Sequence, residues 1–502
     1  MTPTAAETPL VLTLDIGTSS VRALLFDRGA RHLDGLEARR QHGVRTTSDG
    51  GAELDPLALL REVEEVVDEI LAKAGPQAAQ IRAVACCTFW HSILGVDEFG
   101  EAVTPVYTWA DTRAAAQGDE LRKRMDEKEY HARTGAFFHP LFWPSKLLWL
   151  RFQPSASRVR MWLSFGEFLY RRLFGRALCT VSMASGTGLL DINRCEWDFK
   201  TLTALGVADY QLGPLGDVKP AFNDLAGPYT SRWPALKDVP WTPPVGDGAC
   251  NNLGSGCATP ERIAVMVGTS GAMRVVSETP RIDIPWGLWC YRADRRRVVL
   301  GGALNDGGNL VEWCRRTLNL GAPQDVEREL AAMEPDAHGL TFLPFLAGER
   351  SPGWVAHARG AITGLRLDTK PVQVLRAALE AVALRFELIR GLICGSFPQA
   401  REIVASGGAL RESPAFTQIL TDAMGRPILP SAEPEASARG AALLTLEALG
   451  MIPRLEDLSA SFGTPVAPDA GRHARYAAAL ARQQELYSKL VRPGEAAAKS
   501  VI

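Results

Sequence analysis

The chain has 502 residues, 46% of them hydrophobic and 22% charged, and its 55 Lys and Arg against 57 Asp and Glu leave a net charge of −2. At roughly 150 residues per domain this is enough for about three domains or two large ones, so disulfide-stapled miniproteins are excluded. The balanced charge excludes a global pull toward nucleic acid or an anionic membrane, and no apolar run reaches the ~20 uncharged residues of a membrane span.

In chain order, Val11 to Leu25 reads VLTLDIGTSSVRALL, two strands joined by a Gly-Thr-Ser turn. No Lys or Arg precedes it and its first apolar run stops at Asp15, which argues against a secretory signal, so a cytoplasmic location is expected. Leu33 to His42 supplies a third antiparallel strand. Asp55-Pro56 joins an N-cap to an N1 proline, and Leu59, Leu60, Val63, Val66, Val67, Ile70 and Leu71 keep helical spacing up to Gly75-Pro76. Ile81 to Phe89 is apolar enough for a strand buried on both faces. Trp90, His91 and Ser92 follow at its carboxyl end, the place where open α/β sheets bind ligands. Val96 to Gly100 makes a hairpin turn. The run Thr108 to Arg113 sets Trp109, Asp111 and Arg113 together, either as a hydroxyl-binding edge or as packing around an ion pair. Asn193 to Val239 is rich in Gly, Pro and Trp, and Pro243-Pro244 leads into Val245-Gly246-Asp247-Gly248, where the domain junction is placed.

The second half opens as the first does. Ile263 to Val276, IAVMVGTSGAMRVV, repeats the strand, the Gly-Thr-Ser turn and a strand containing Arg, half a chain length after the first copy. This spacing points to a duplicated domain rather than a solenoid, whose repeats are about 20 to 50 residues long. Thr341 to Leu346 reads as a strand and Val372 to Leu392 as a long buried helix, although Arg376, Glu380, Arg385, Glu387 and Arg390 interrupt it. Ile403 to Ala405 is a strand entering Ser406-Gly407-Gly408, and Arg472 to Val491 a terminal helix with a charged face. The expected domains are 1–245, 246–450 and a helical extension over 451–502. Nine cysteines without a CxxC pair fit buried reduced thiols better than a zinc site.

Glycine in a Gly-Thr-Ser turn lets backbone approach an anion, and the hydroxyls add donors. Asp15 ends a strand just before the first turn, where a carboxylate would repel phosphate unless a Mg²⁺ ion lay between them; capping of the turn is the alternative. Asp247, flanked by glycines, is suited to accept a proton from a substrate hydroxyl. No P-loop or strand-linked GxGxxG is present.

These residues resemble the FGGY carbohydrate kinases. The family's second signature is complete from Gly360 through Gly364-Leu365 to Gln373 and Glu380. Asp15-Ile-Gly17-Thr18-Ser19-Ser20, Gly246-Asp247-Gly248, Gly268-Thr269-Ser270-Gly271 and Ser406-Gly407-Gly408 match as well. The first signature keeps Lys146 to Leu150, but Leu141 and Trp143 stand where small or polar residues are usual. The resemblance implies an α/β protein of the actin-like ATPase (ribonuclease H-like) fold, two duplicated domains around a cleft, with ATP and Mg²⁺ as cofactors. It implies Asp247 as catalytic base, with Asp15 and Asp247 facing the Mg²⁺. Gly17, Thr18, Ser19, Gly268, Thr269 and Ser270 would hold phosphates, and Gly307, Gly308, Gly407 and Gly408 would line the nucleotide. Trp90-His91-Ser92 with Trp109, Asp111 and Arg113, the run GALNDGG and the stretch from Phe345 to Pro352 look most like the gluconate kinase branch. There His91 and Arg113 would meet a substrate carboxylate. Trp90 replaces the usual Met, which keeps a xylulose or other pentulose or polyol kinase as the alternative. A catalytically silent actin-fold sugar sensor is the alternative of another class, and the presence of both Asp15 and Asp247 argues against it. A small-molecule sugar or sugar acid is the expected partner, with no nucleic acid and no membrane, and a homodimer is compatible with these features.

Overall fold

The computed structural model describes residues 8–492, so the opening residues 1–7 and the end of the expected extension, 493–502, lie outside the described residues. In the first lobe β1 (Leu10–Ile16), β2 (Ser20–Phe26) and β3 (His32–Gln41) form an antiparallel meander. Helix α1 (Pro56–Ala74) follows, with the Asp55 carboxylate accepting from the N–H groups of Leu57 and Ala58, each at 2.8 Å. This satisfies two of the orphan donors that any helix start presents. β4 (Ile81–Thr88) then runs parallel to β1, and β5 (Val245–Gly246) runs parallel to β4, giving the order β5-β4-β1-β2-β3.

Immediately after β5 comes α2 (Asp247–Gly254), and the second lobe repeats the same plan. β6 (Arg262–Val267), β7 (Gly271–Glu278), β8 (Trp289–Arg292) and β9 (Arg297–Leu304) pair antiparallel with one another, β6 with β7, β7 with β9 and β9 with β8. After α3 (Pro371–Ser396), β10 (Glu402–Ser406) and β11 (Ile428–Pro430) run parallel, for an order β8-β9-β7-β6-β10-β11. Apart from the added edge strand β8, the two sheets have one topology, so the repeated sequence is a repeated fold.

The lobes meet through α2 and α4 (Ala436–Ala448), which pack backbone to backbone. A Cβ on Gly254 would lie 1.8 Å from the Ala436 carbonyl oxygen and one on Gly440 1.9 Å from that of Cys250, so only glycine fits this crossing. The stretch from Asn193 to Val239 folds back on the first lobe: Trp233 there and Trp241 just beyond it stack with ring centroids 6.2 Å apart in its core. Helix α5 (Ala470–Leu490) closes the second lobe, its Tyr476 hydroxyl 2.9 Å from Arg376 and 3.2 Å from Glu380 on α3. The end of the second signature, Arg376 and Glu380, is thus a buried ion pair of the core. All nine cysteines are free and eight are buried. Among the described residues no helix is long and apolar enough to cross a membrane.

Candidate active site

Three connected cavities line the cleft, two of them between the lobes and one within the second lobe. The smallest, of about 230 Å³, is lined by Trp90, His91, Trp109, Asp247, Ser270 and Arg274 among others. A cavity of about 960 Å³ is lined by Gly268, Thr269, Gly308, Gly408 and Glu412. A mouth of about 1150 Å³ shares Trp109, Ser270 and Arg350 with the first and Thr269 and Asn309 with the second. The second Gly-Thr-Ser turn therefore sits at their junction, Gly268 and Thr269 toward the large cavity and Ser270 toward the small one.

Backbone contacts hold that turn in place. Gly308 N–H donates to the Gly268 carbonyl at 2.7 Å and Asn309 N–H to that of Thr269 at 3.0 Å. Gly307 lies so close that a Cβ would be 2.9 Å from the Ser270 carbonyl group. Gly407 adopts φ +101° with the Val267 carbonyl oxygen 2.3 Å from where a Cβ would be, so this position requires glycine. In the first turn Gly17 N–H closes on the Ser20 carbonyl at 2.9 Å, and Ser19 is exposed. Thr18 accepts from the Trp109 indole at 3.0 Å, which ties this turn to the wall of the small cavity.

Asp247 opens α2 at the end of β5, its Oδ1 accepting from Gly248 N–H at 2.7 Å. Burial, and then the nearby Asp15 carboxylate, push its carboxyl up to about 6, while Arg274 and the N–H groups of Gly248 and Trp90 pull the other way. Asp15 is buried at the end of β1, paired with Arg22 and accepting from the Cys87 thiol at 3.4 Å. Arg22 also pairs with Glu435 of the second lobe. The Asp15 carboxylate is close enough to act on that of Asp247, and two neighbouring carboxylates form a place where a divalent cation would be welcome. Mg²⁺ keeps waters and phosphates and takes one or two carboxylates, so these two residues fit it.

Trp90 fills the space beside Asp247. Cβ atoms on Gly246 and Gly248 would lie 2.0 and 2.6 Å from its ring, its indole donates to the Ser182 carbonyl at 2.9 Å, and Tyr291 packs edge-on at 4.8 Å. The glycines around Asp247 thus make room for an indole. His91 has φ +67°, a left-handed conformation uncommon outside glycine. Its Nδ1 meets the Gly186 carbonyl, and burial, with Lys146 and Arg350 nearby, lowers its pKa to about 3. The ring is neutral with Nδ1 as donor, so Nε2 is an acceptor suited to a hydroxyl rather than a carboxylate.

Ser92, Asp111 and Arg113 stand outside the small cavity. Ser92 accepts from Phe165 N–H at 3.3 Å and its carbonyl from the Trp143 indole at 3.2 Å. Asp111 accepts from Ala52 N–H at 3.1 Å and reaches only the mouth. Arg113 is committed to Glu53 and Asp111 and stacks 4.7 Å over Trp149. The cations at the cavity are Arg274 and Arg350, which the sequence reading missed. Arg274 is 8% exposed on β7, with its Nε and one Nη buried without a hydrogen-bond partner among the described residues. Arg350 donates to the Leu304 carbonyl at 2.6 Å and lies 5.7 Å over Trp109, its Nε also buried and without a partner among the described residues. Burial lowers both guanidinium pKa values, that of Arg350 to about 10. The available signal was an Arg inside the apolar run of β7.

A cleft between two ribonuclease H-like lobes, with a carboxyl poised beside a Gly-Thr-Ser turn, defines a phosphotransferase of the actin-like ATPase fold. More particularly, the chain belongs to the FGGY family of carbohydrate kinases, matching the family's N-terminal domain over residues 10–254 and its C-terminal domain over 263–449. It is 28% identical to a gluconokinase of Bacillus subtilis (strain 168) over 472 residues, 91% of each chain. The crystal structure of gluconate kinase from Lactobacillus acidophilus superposes with a TM-score of 0.89 at 26% identity, covering 96% of this chain and 98% of that one. The ligand-bound xylulose kinase from Lactobacillus acidophilus gives the same score, identity and coverage.

Proposed function

We propose that the protein transfers the γ-phosphoryl group of ATP to a hydroxyl of a sugar acid, converting gluconate to 6-phosphogluconate. The observation that carries this reading is the pair Arg274 and Arg350, two guanidiniums at a sugar-sized cavity with buried N–H groups left without partners. Asp247 and Asp306 act on them only at a distance, a buried cation without an ion-pair partner is costly, and a substrate carboxylate would supply the missing charge and acceptors together. A pentulose or polyol would leave that cost in place, and a silent sugar sensor would have no use for a carboxyl poised near neutrality.

In this reading residues 1–245 form the sugar-side domain, 246–450 the nucleotide-side domain and 451–502 the extension. Asp247 accepts the proton of the attacking hydroxyl, while the neutral His91 and the Trp90 and Trp109 walls orient the polyol chain. The carboxylate lies at the Arg350 end, because Arg274 rather than Arg350 is the guanidinium whose field acts on Asp247. Thr18, Ser19, Thr269 and Ser270 hold phosphates with the backbone of Gly17 and Gly268, and Gly307, Gly308, Gly407 and Gly408 form the nucleotide wall. Asp15 and Asp247 would hold Mg²⁺, which when bound neutralises phosphate charge. Phosphoryl transfer asks mainly for such positioning and charge stabilisation. Incubation with ATP, Mg²⁺ and gluconate tests the reading: 6-phosphogluconate should form in step with ADP, and ADP formed without a phosphorylated sugar acid would overturn it.

A further inference from the structure

We propose that Tyr487, near the end of α5, is a positioning residue that fixes the loop carrying Arg350 and Trp354 against the sugar cavity. The inference rests on the reading of that cavity as the sugar site. α5 lies beyond the span matched by the family's C-terminal domain, yet its far end reaches the cleft, where Val491 and Arg492 line the mouth beside Arg350, Gly353 and Trp354. The Tyr487 hydroxyl donates to Oε2 of Glu349 at 2.6 Å. Glu349 immediately precedes Arg350, its side chain is 1% exposed, and it is paired with the equally buried Arg385.

The remaining contacts make the loop a single unit. Glu349 Oε1 accepts from Gly353 N–H at 3.2 Å, Ser351 and Ala303 exchange two hydrogen bonds, and the Trp354 indole donates to the Gly287 carbonyl at 3.0 Å. Arg492 donates to the Gly353 carbonyl. A Cβ on Gly353 would lie 2.0 Å from the Tyr487 hydroxyl oxygen, so the loop is moulded around that hydroxyl. Arg385 also lies 5.0 Å over the Tyr487 ring. With a donor to Glu349 removed, the carboxylate can turn toward Arg385 or water, and the Arg350 guanidinium shifts with it. Small displacements of a positioning group weaken binding without touching the chemistry.

The test is Tyr487→Phe, which keeps the ring and deletes one hydroxyl, with Tyr476→Phe as the matched control. Tyr476 lies on the same helix and its hydroxyl also meets a buried carboxylate, that of Glu380, but Glu380 is not on the Arg350 loop. Both variants should lower the melting temperature to a similar extent. Only Tyr487→Phe should raise KM for the sugar, by about tenfold, the equivalent of ~1.4 kcal/mol for one hydrogen bond to a charged group, with kcat and KM for ATP unchanged. Equal sugar KM in the wild type and Tyr487→Phe, or equal increases in both variants, would overturn the proposal. The effect is read on whichever sugar the wild type turns over. Failure of the sugar-acid reading therefore shows in wild-type preference, and failure of this inference in the comparison of variants.

Discussion

Replacing Arg350 by Met separates a residue kept for the substrate from one kept for the fold. In the free protein burial lowers the guanidinium pKa from 12.5 to about 10, a cost of about 3 kcal/mol to the charged form. The sign is fixed: a cation with a depressed folded-state pKa destabilises the fold wherever it is charged, neutral pH included, and the cost disappears only above its unfolded pKa. Arg350→Met removes that cost and forfeits the bond to Leu304, worth ~1.5–3 kcal/mol for a charged donor, together with ~0.5–1 kcal/mol of stacking on Trp109. These nearly offset, so the melting temperature should stay within about 2 °C of wild type. Loss of a buried charge-paired contact to the substrate costs ~2–5 kcal/mol, so a coupled ADP-release assay should show kcat/KM for gluconate falling about 10²- to 10³-fold. Xylulose turnover, if measurable, should change little. Unchanged kcat/KM for gluconate, or a melting temperature lowered by more than about 5 °C, would refute the reasoning and return Arg350 to the structure.

Further outcomes follow from the neighbouring residues. Asp247→Asn should reduce sugar-dependent ADP release ~10²- to 10⁴-fold with ATP binding, measured by calorimetry without Mg²⁺, intact. In the wild type, kcat/KM should fall tenfold per unit below the Asp247 pKa of about 6, because the base must be ionised, with no limb from His91, which stays neutral down to about pH 3. Gly246→Ala would drive a methyl into the Trp90 indole, 2.0 Å away, and should cost ~1–3 kcal/mol by overpacking. Trp90→Met in the same chain should restore part of the lost stability and activity.

The repeated Gly-Thr-Ser hairpins were legible because strand, turn and strand are local and glycine marks the turn. The Asp55 cap, α1 and the buried β4 were legible for the same reason. Asp247 could be singled out from its glycines, but that those glycines make room for the Trp90 indole is visible only in the tertiary structure. Residue type does not decide between roles where it fits two. Asp111 and Arg113 form the same pair whether they face a ligand or Glu53, and only tertiary contact decides. Arg274 and Arg350 were missed because a cation's value depends on what is absent around it, and no local pattern records an unpaired N–H. The role of α5 was invisible for a related reason: its charged face reads as solvated surface, whereas the buried hydroxyls of Tyr476 and Tyr487 attach it to the second lobe.

The most direct test is the ratio of kcat/KM values for gluconate and for the neutral substrates xylulose, ribulose and glycerol, measured with one ADP-release assay at saturating Mg-ATP. A cavity carrying Arg274 and Arg350 predicts that gluconate exceeds each neutral compound by at least about 10²-fold, the value of one satisfied buried charge. Any neutral compound matching or exceeding gluconate would contradict the account.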